Sequence, residues 1–213
     1  MTTQDIPIRD DSACLLIIDV QLDFCPGGAL AVEQGDQVVP PINELLNYFN
    51  NVVLTQDWHP VAHSSFASSH DGNQPFSSIQ MHYGEQTLWP DHCVQNSSGA
   101  EFHSDLNTNA AQAIIRKGYR REIDSYSAFF ENDGKTKTGL QGWLTTKQIS
   151  SIYLAGLATD YCVAYSALDA ARLGFDVNVI LPACRAIDLN GSLSLQLDKM
   201  LEAGVTLLQK LPE

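Results

Sequence analysis

Short apolar runs recur along the chain and predict buried strands. The first, ACLLIID over residues 13–19, is continuously apolar apart from its final aspartate. Such a run is typical of a strand that is covered on both faces, as in a parallel sheet. The later runs predict further strands over 51–56, 112–118, 151–156, 176–182 and 205–209.

Apolar residues at helical spacing fill several of the intervals between these runs. They predict helices over 36–48, over 138–148, from just after Asp160 to Gly174, and over 192–204. The alternation predicts an α/β fold with three α/β/α layers around a central, mostly parallel sheet of about six strands. Because no repeat or linker interrupts the pattern, we expect residues 1–213 to form a single domain.

Two segments lack periodicity. The longer one covers about 57–107 and is rich in His, Ser, Pro and Gly, and the shorter one runs over 119–137. Long irregular segments in a compact domain usually carry function, and in α/β sheets ligands bind at the carboxyl ends of the strands. We therefore expect the 57–107 loop to contribute to a metal and substrate site.

Composition narrows the class of partner. The chain has 25 acidic against 12 basic residues, a formal net charge of −13, which disfavours binding to nucleic acid or an acidic membrane. The N-terminal stretch lacks the basic region of a signal peptide and no apolar run reaches 18 residues, so we expect a cytoplasmic protein. Five scattered cysteines without a CxxC pair indicate free thiols. The oligomeric state is left open between monomer and homo-oligomer.

Polar residues stand at the ends of four predicted strands. Asp19 closes the first strand, Asp57 and His59 follow the second, Lys117 follows the third, and Cys162 follows the fourth. Because the carboxyl ends of parallel strands share one edge of the sheet, we expect these side chains to converge.

Cys162 has two interpretations. It could fill the core as a small apolar residue. It could instead lie in the first turn of a helix capped by Thr159 or Asp160, where the helix dipole favours a thiolate. Asp19 and Lys117, which we expect nearby, favour the second interpretation. Taken alone, Asp19 would be explained as a capping residue and Lys117 as a solvated lysine. Lys117 would lower the pKa of the thiol, and Asp19 would carry its proton to a leaving amine.

Histidines concentrate in the longer irregular segment, and five of the six in the chain lie within residues 59–92: His59, His63, His70, His82 and His92. Asp57 and His59 stand two residues apart on an extended stretch, so their side chains share a face and begin a site for a first-row metal. Histidine and carboxylate donors suit zinc first, with iron or manganese as alternatives.

Five segments, in chain order, resemble the nicotinamidases, amide hydrolases of the isochorismatase-like superfamily. They are DVQLDFCPGGALAV (19–32), TQDWHP (55–60), WPDHCVQNSSGAEFH (89–103), DSYSAFF (124–130) and GLATDYCV (156–163). The resemblance implies an isochorismatase-like fold and a catalytic triad of Asp19, Lys117 and Cys162. It also implies one divalent metal ion per chain, held by Asp57, His59 and His92, with His63 left outside the ligand set.

The same resemblance implies the substrate-binding residues. These are Phe24, Leu30, Trp89, Tyr126 and Ala158, with the backbone N–H groups of Ala158 and Cys162 as the oxyanion hole. A cis peptide bond between Leu157 and Ala158 is implied as well. The metal ion would contact the pyridine nitrogen of the substrate.

The expected reaction is hydrolysis of nicotinamide, and also of pyrazinamide, through a Cys162 thioester. Three alternatives stay open at this point. One is a metallohydrolase whose metal-bound water attacks the substrate. Another uses the same triad on a different small substrate, such as an isochorismatase-like vinyl ether or a carbamoyl amine. The last is a binding module without catalysis.

Overall fold

The strands of the computed structural model, which describes residues 9–212, form one large sheet and one small hairpin. The eight strands are β1 (Ala13–Ile18), β2 (Asn51–Asp57), β3 (Ser78–Met81), β4 (Gly84–Thr87), β5 (Ala113–Lys117), β6 (Ser151–Leu157), β7 (Asp176–Arg185) and β8 (Thr206–Leu208). The large sheet has the order β5-β2-β1-β6-β7-β8 and all its pairs are parallel. The predicted six-stranded parallel sheet is confirmed.

In the described part of the chain, four α-helices cover the two faces of this sheet: α1 (Val39–Leu45), α2 (Leu140–Thr146), α3 (Ala164–Arg172) and α4 (Ser192–Glu202). The buried residues of α1 join one core cluster, and those of α2 and α3, together with Met200 of α4, join another. The three-layer α/β/α arrangement is thus confirmed.

Strand β1 shows why a continuous apolar run was the right signal. Its side chains alternate between the two cores, with Leu15 and Ile17 on one side and Leu16 and Ile18 on the other. All six of its residues are buried. Since successive side chains of a strand point to opposite faces, only a strand covered on both faces can be apolar throughout.

The helices differ from their predicted limits at the ends. The predicted 36–48 helix begins as a 3₁₀ turn over Gly35–Val38 and becomes α-helical only from Val39. The helix predicted to start after Asp160 is preceded by a π-helical turn, Thr159–Val163, so α3 begins at Ala164.

The long irregular segment contains the antiparallel hairpin β3–β4, which the sequence did not predict. Both strands are four residues long and mostly polar, so they lack an apolar run. The 119–137 segment has no helix or strand, as predicted. No helix within residues 9–212 is long and apolar enough to cross a bilayer.

The strand order places a topological switch point between β1 and β6. From β1 the chain continues to β2 and then β5 on one side, and from β6 it continues to β7 and β8 on the other. Ligand sites in open α/β sheets lie at such points, outside the carboxyl ends of the strands. Asp19 follows β1 and Cys162 follows β6, so both lie at this position.

Candidate active site

Lys117 is the centre of a buried polar cluster at the switch point. Its side chain is 0% exposed, and Nζ lies 2.8 Å from Asp19 Oδ2, 2.6 Å from Asp57 Oδ1 and 3.4 Å from Cys162 Sγ. Nζ also donates to the backbone carbonyl of Ser125 at 2.8 Å. The structure therefore brings together the strand-end residues that the sequence placed at one edge.

Burial and the neighbouring opposite charges shift the pKa of Lys117, and also that of Asp19, in opposite directions. Burial works to lower the pKa of Lys117, but the carboxylates of Asp19 and Asp57 outweigh it and hold that pKa well above its usual value. Burial raises the pKa of Asp19, with Lys117 acting against it. Lys117 thus stays a cation, whereas Asp19 is suited to take up and release a proton.

Asp19 is held by Thr55 of β2. The Thr55 hydroxyl donates to Asp19 Oδ1 at 2.6 Å, and the Asp19 N–H donates to the Thr55 hydroxyl oxygen at 3.1 Å. Asp19 also has a positive φ of 46°, which turns the chain out of the sheet directly after β1. Its carboxylate is thereby aimed along the strand ends towards Lys117.

Cys162 lies in the π-helical turn between β6 and α3 and is 7% exposed. Its Sγ is within 4.8 Å of a carboxylate oxygen of Asp19 and of Asp57. Burial raises the pKa of the Cys162 thiol well above its usual value, and Lys117 opposes this only in part. Lys117 thus lowers the pKa of the thiol, as expected, but burial outweighs this effect, and the thiol needs a neighbouring base to become a nucleophile.

The turn that carries Cys162 is held differently from the prediction. Neither Thr159 nor Asp160 caps it with a side-chain hydrogen bond. The Asp160 carboxylate instead accepts from the backbone N–H groups of Ile187 and Asp188. The peptide bond between Leu157 and Ala158 is cis, as expected.

Asp57, His59 and His92 form a second buried group beside the first. One possible ligand atom from each lies within 4.8 Å of the others. Nδ1 of His59 is 2.9 Å from the carbonyl oxygen of Gly118, and Nδ1 of His92 is 2.8 Å from that of Pro90. Because a carbonyl can only accept, both Nδ1 atoms carry the proton and both Nε2 atoms present a lone pair.

These lone pairs face a carboxylate, which is the arrangement that a cation would bridge. The Nε2 atoms of His59 and His92 lie 3.3 Å and 3.7 Å from Asp57 Oδ2, and His59 Nε2 is buried without a hydrogen-bond partner. Burial works to lower the pKa of His59, but Asp57 and Asp124 outweigh it and raise that pKa. The site therefore favours positive charge, and its donors fit a divalent first-row metal ion.

His63 lies outside this group of donors. Its Nδ1 is 2.7 Å from the hydroxyl of Ser65, and its Nε2 is 2.9 Å from the carbonyl of Arg120. Burial lowers the pKa of His63 to about 4, so the ring is neutral at pH 7. Both ring nitrogens already have partners within the protein.

A small cavity opens beside these two groups. All the residues expected to bind substrate line it together with Cys162: Phe24, Leu30, Trp89, Tyr126 and Ala158. Trp89 and Tyr126 form an aromatic wall, since Trp89 Nε1 donates to the Tyr126 hydroxyl at 3.2 Å. The cavity suits a small, flat and largely apolar ligand with a polar group near the thiol.

The sequence did not indicate several residues of this site. Asp124, Tyr161 and Ile187 also line the cavity. Gln21 holds the backbone of Asp57, since its Nε2 donates to the Asp57 carbonyl and its Oε1 accepts from the Asp57 N–H, both at 2.8 Å. Gln21 lies inside the DVQLDF segment that carries the family resemblance, and this position is the only feature of the sequence that points to a role for it in the site.

Residues 13–209 match the isochorismatase domain family, so the chain belongs to that family. Within it, several of the similar proteins are nicotinamidases. A nicotinamidase of Acinetobacter baylyi is 52% identical over 195 residues, which cover 92% of this chain and 91% of the relative.

Two solved structures agree with this placement. One, described as an Acinetobacter baumanii nicotinamidase and pyrazinamidase, has a TM-score of 0.93 at 52% identity and covers 94% of this chain and 97% of its own. The other is a pyrazinamidase of Pyrococcus horikoshii in complex with zinc. It has a TM-score of 0.75 at 33% identity and covers 93% of this chain and 99% of its own.

Proposed function

We propose that the protein is an amidohydrolase that converts nicotinamide to nicotinate and ammonia, and that it also accepts pyrazinamide. The observation that carries this proposal is the contact of Lys117 with both Asp19 and Cys162, the last of which lines an aromatic cavity. The nicotinamidase relatives supply the substrate class.

In the proposed first half-reaction, Asp19 takes the proton of the Cys162 thiol. The thiolate attacks the carboxamide carbon, and the backbone N–H groups of Ala158 and Cys162 receive the oxyanion, with Lys117 adding positive charge nearby. When the C–N bond breaks, Asp19 gives its proton to the leaving nitrogen. Ammonia departs and a thioester to Cys162 remains.

The second half-reaction uses the same base. Asp19 takes a proton from a water molecule, whose oxygen attacks the thioester carbon. The C–S bond breaks, the proton returns from Asp19 to the Cys162 sulfur, and nicotinic acid is released, which loses its remaining proton to solvent and becomes nicotinate. One carboxylate serves both steps because the burial-raised pKa of Asp19 lets it exchange a proton readily.

We assign one divalent metal ion per chain, with zinc as the first choice, to Asp57, His59 and His92. Their inward-facing donors and the zinc-containing relative support this assignment. A bound ion would offer a Lewis-acidic contact to the ring nitrogen of the substrate. Phe24, Leu30, Trp89 and Tyr126 would hold the flat ring so that its amide reaches Cys162.

We also propose that residues 1–213 act as one domain, with the 57–107 loop supplying metal and substrate contacts. The five cysteines are free, and a thiol nucleophile suits a reducing compartment such as the cytoplasm, where we place the protein.

The decisive test is Cys162→Ala. We expect ammonia release from nicotinamide to be abolished while nicotinamide still binds in calorimetry, with Cys14→Ala as the matched control for a buried cysteine outside the site. Retained turnover in Cys162→Ala would overturn the thiol mechanism and favour attack by a metal-bound water.

A substrate panel tests the other half of the proposal. It contains nicotinamide, pyrazinamide, a vinyl ether of the isochorismate type and a carbamoyl amine. We expect release of ammonia from both pyridine-type amides and no turnover of the other two. Failure on both ring amides would contradict the proposed substrate class.

A further inference from the structure

The loop between β7 and α4 forms one wall of the cavity. Ile187 of this loop lines the cavity together with the aromatic residues and Cys162. Three residues that follow it have left-handed backbone conformations, with φ of 53° at Asp188, 55° at Asn190 and 82° at Gly191. Such a chain path is unfavourable for non-glycine residues, so outside contacts must hold it in place.

Asp160 supplies these contacts. It is 0% exposed, its Oδ1 accepts from the Ile187 N–H at 3.0 Å, and its Oδ2 accepts from the Asp188 N–H at 2.8 Å and from the Ser192 hydroxyl. Within residues 9–212 no lysine, arginine or histidine lies within ion-pair distance of this carboxylate. The three donors from one loop are therefore what offsets the burial of its charge.

Asp160 is also part of the turn that carries the thiol. It stands two residues before Cys162, and Tyr161 between them lines the cavity. One buried carboxylate thus connects the Cys162 turn to the loop wall formed by Ile187.

We infer that Asp160 is a positioning residue, which sets the distance between Ile187 and Cys162 and so determines how tightly the cavity closes around the ring of the substrate. This inference rests on the proposed function for its choice of substrate. Within residues 9–212 the hydrogen bonds of the Asp160 carboxylate go to the Ile187 loop and to Ser192, and none goes to Asp19 or Lys117, so we expect its main effect on substrate binding.

The test is a double-mutant cycle with Asp160→Asn and Ile187→Ala. Asparagine has one acceptor oxygen instead of two, so at least one loop N–H loses its partner. We expect each single variant to raise KM for nicotinamide about tenfold with kcat changed less than about threefold. The KM of the double variant should be no more than about twofold above that of Asp160→Asn, since both substitutions act on the same wall of the cavity.

Asp169→Asn on α3 is the matched control, because within residues 9–212 the Asp169 carboxylate pairs only with the exposed Arg172, and the KM of this variant should stay at the wild-type value. A roughly hundredfold rise of KM in the double variant would mean independent effects and would overturn the inference. The inference would also be overturned if Asp160→Asn lowered kcat and left KM unchanged.

A second readout separates this inference from the proposed function. The rate of Cys162 alkylation by iodoacetamide, followed by peptide mass spectrometry, needs no turnover. We expect faster alkylation in Asp160→Asn and in Ile187→Ala, with no further gain when they are combined. If the wild type fails to hydrolyse nicotinamide, the proposed function falls, and the alkylation cycle still decides the role of Asp160.

Ser192→Ala covers the case in which Asp160→Asn does not fold. It removes one of the three donors and leaves the carboxylate in place. We expect a smaller change in the same direction, about two- to threefold in KM and in alkylation rate. Wild-type values for both in folded Ser192→Ala, together with an unfolded Asp160→Asn, would contradict a positioning role.

Discussion

At the scale of single residues, a buried cation between two carboxylates shapes the chemistry. Lys117 contacts Asp19 and Asp57 where water cannot screen the charges, so the three ionised groups depend on one another. Since the carboxylates keep the pKa of Lys117 high, the lysine cannot act as a base. Proton transfer is left to Asp19, whose pKa is raised by burial.

Lys117→Met should therefore destabilise the protein. Removing the cation leaves two buried carboxylates without their partner, which costs about 3–5 kcal/mol of unfolding free energy at pH 7. Lys117 lowers the pKa of Asp19, so the pKa in the variant rises further and the folded variant regains stability as pH falls. Urea unfolding at pH 7 and pH 5 measures both effects. The exposed Lys199→Met is the control, and equal stability of Lys117→Met and wild type at pH 7 would refute the argument.

Thr55→Val tests the proton transfer assigned to Asp19. In the wild type the Thr55 hydroxyl donates to Asp19 and lowers the pKa of that carboxyl. The variant lacks this hydrogen bond, so the pKa of Asp19 rises. Activity requires the carboxylate form of Asp19, and we expect the acid limb of the kcat/KM profile to move to higher pH. Thr145→Val on α2, whose hydroxyl bonds only to a helix carbonyl, should leave the profile unchanged. An unshifted acid limb in Thr55→Val would assign that limb to another group.

At the scale of secondary-structure elements, the close approach of β1 and β6 positions Asp19 relative to Cys162. Gly156 pairs with Ile18 near the ends of these strands and has a φ of 120°. A Cβ atom at Gly156 would lie 2.1 Å from the carbonyl oxygen of Ile18. Only glycine fits here, one residue before β6 ends and the chain enters the turn that carries the thiol.

Gly156→Ala should lower the unfolding free energy by about 3 kcal/mol, because backbone strain and overlap with β1 combine. The control is Gly142→Ala inside α2, where an added Cβ meets nothing within 4 Å. Alanine has the higher helix propensity, so this control should stabilise the protein by about 0.5–1 kcal/mol. Chemical denaturation of both variants measures the two changes. A stable Gly156→Ala protein would show that the β1–β6 ends can separate freely.

At the scale of the whole molecule, the metal site joins distant parts of the chain. Asp57 ends β2, His59 follows it, and His92 comes from the long irregular segment beyond the hairpin. A ligand that binds only the folded state stabilises that state in proportion to the logarithm of its concentration. Binding of an ion should therefore hold the long segment against the sheet.

We expect zinc added to chelator-treated protein to raise its Tm. At a free concentration about 100 times Kd the gain corresponds to about 2.7 kcal/mol. His92→Ala should lose most of this shift, whereas His82→Ala, in the hairpin turn and outside the donor group, should keep it. Differential scanning calorimetry at several zinc concentrations tests both variants. Equal shifts in wild type and His92→Ala would contradict the assigned ligands.

Much of the fold could be predicted because continuous apolar runs record burial on two faces. Strands β1, β2, β5, β6, β7 and β8 were found in this way. The β3–β4 hairpin was missed, because its pairing depends on backbone hydrogen bonds between polar residues rather than on apolar burial. The turn at Cys162 was only partly predicted, because Asp160 bonds to residues 27 and 28 positions away instead of capping locally.

The sequence alone determined which reactive residues stand at the strand ends. Each of them follows an apolar run: Asp19, Asp57, Lys117 and Cys162. The family resemblance added His92 and the aromatic residues. Only the tertiary structure decided how these groups interact. It showed that Lys117 contacts two carboxylates, that Thr55 holds Asp19, and that burial outweighs Lys117 at the thiol. The physical reason is that pKa values and hydrogen bonds depend on distance and burial in space, and neighbours 36 or more positions apart leave no periodic pattern in the chain.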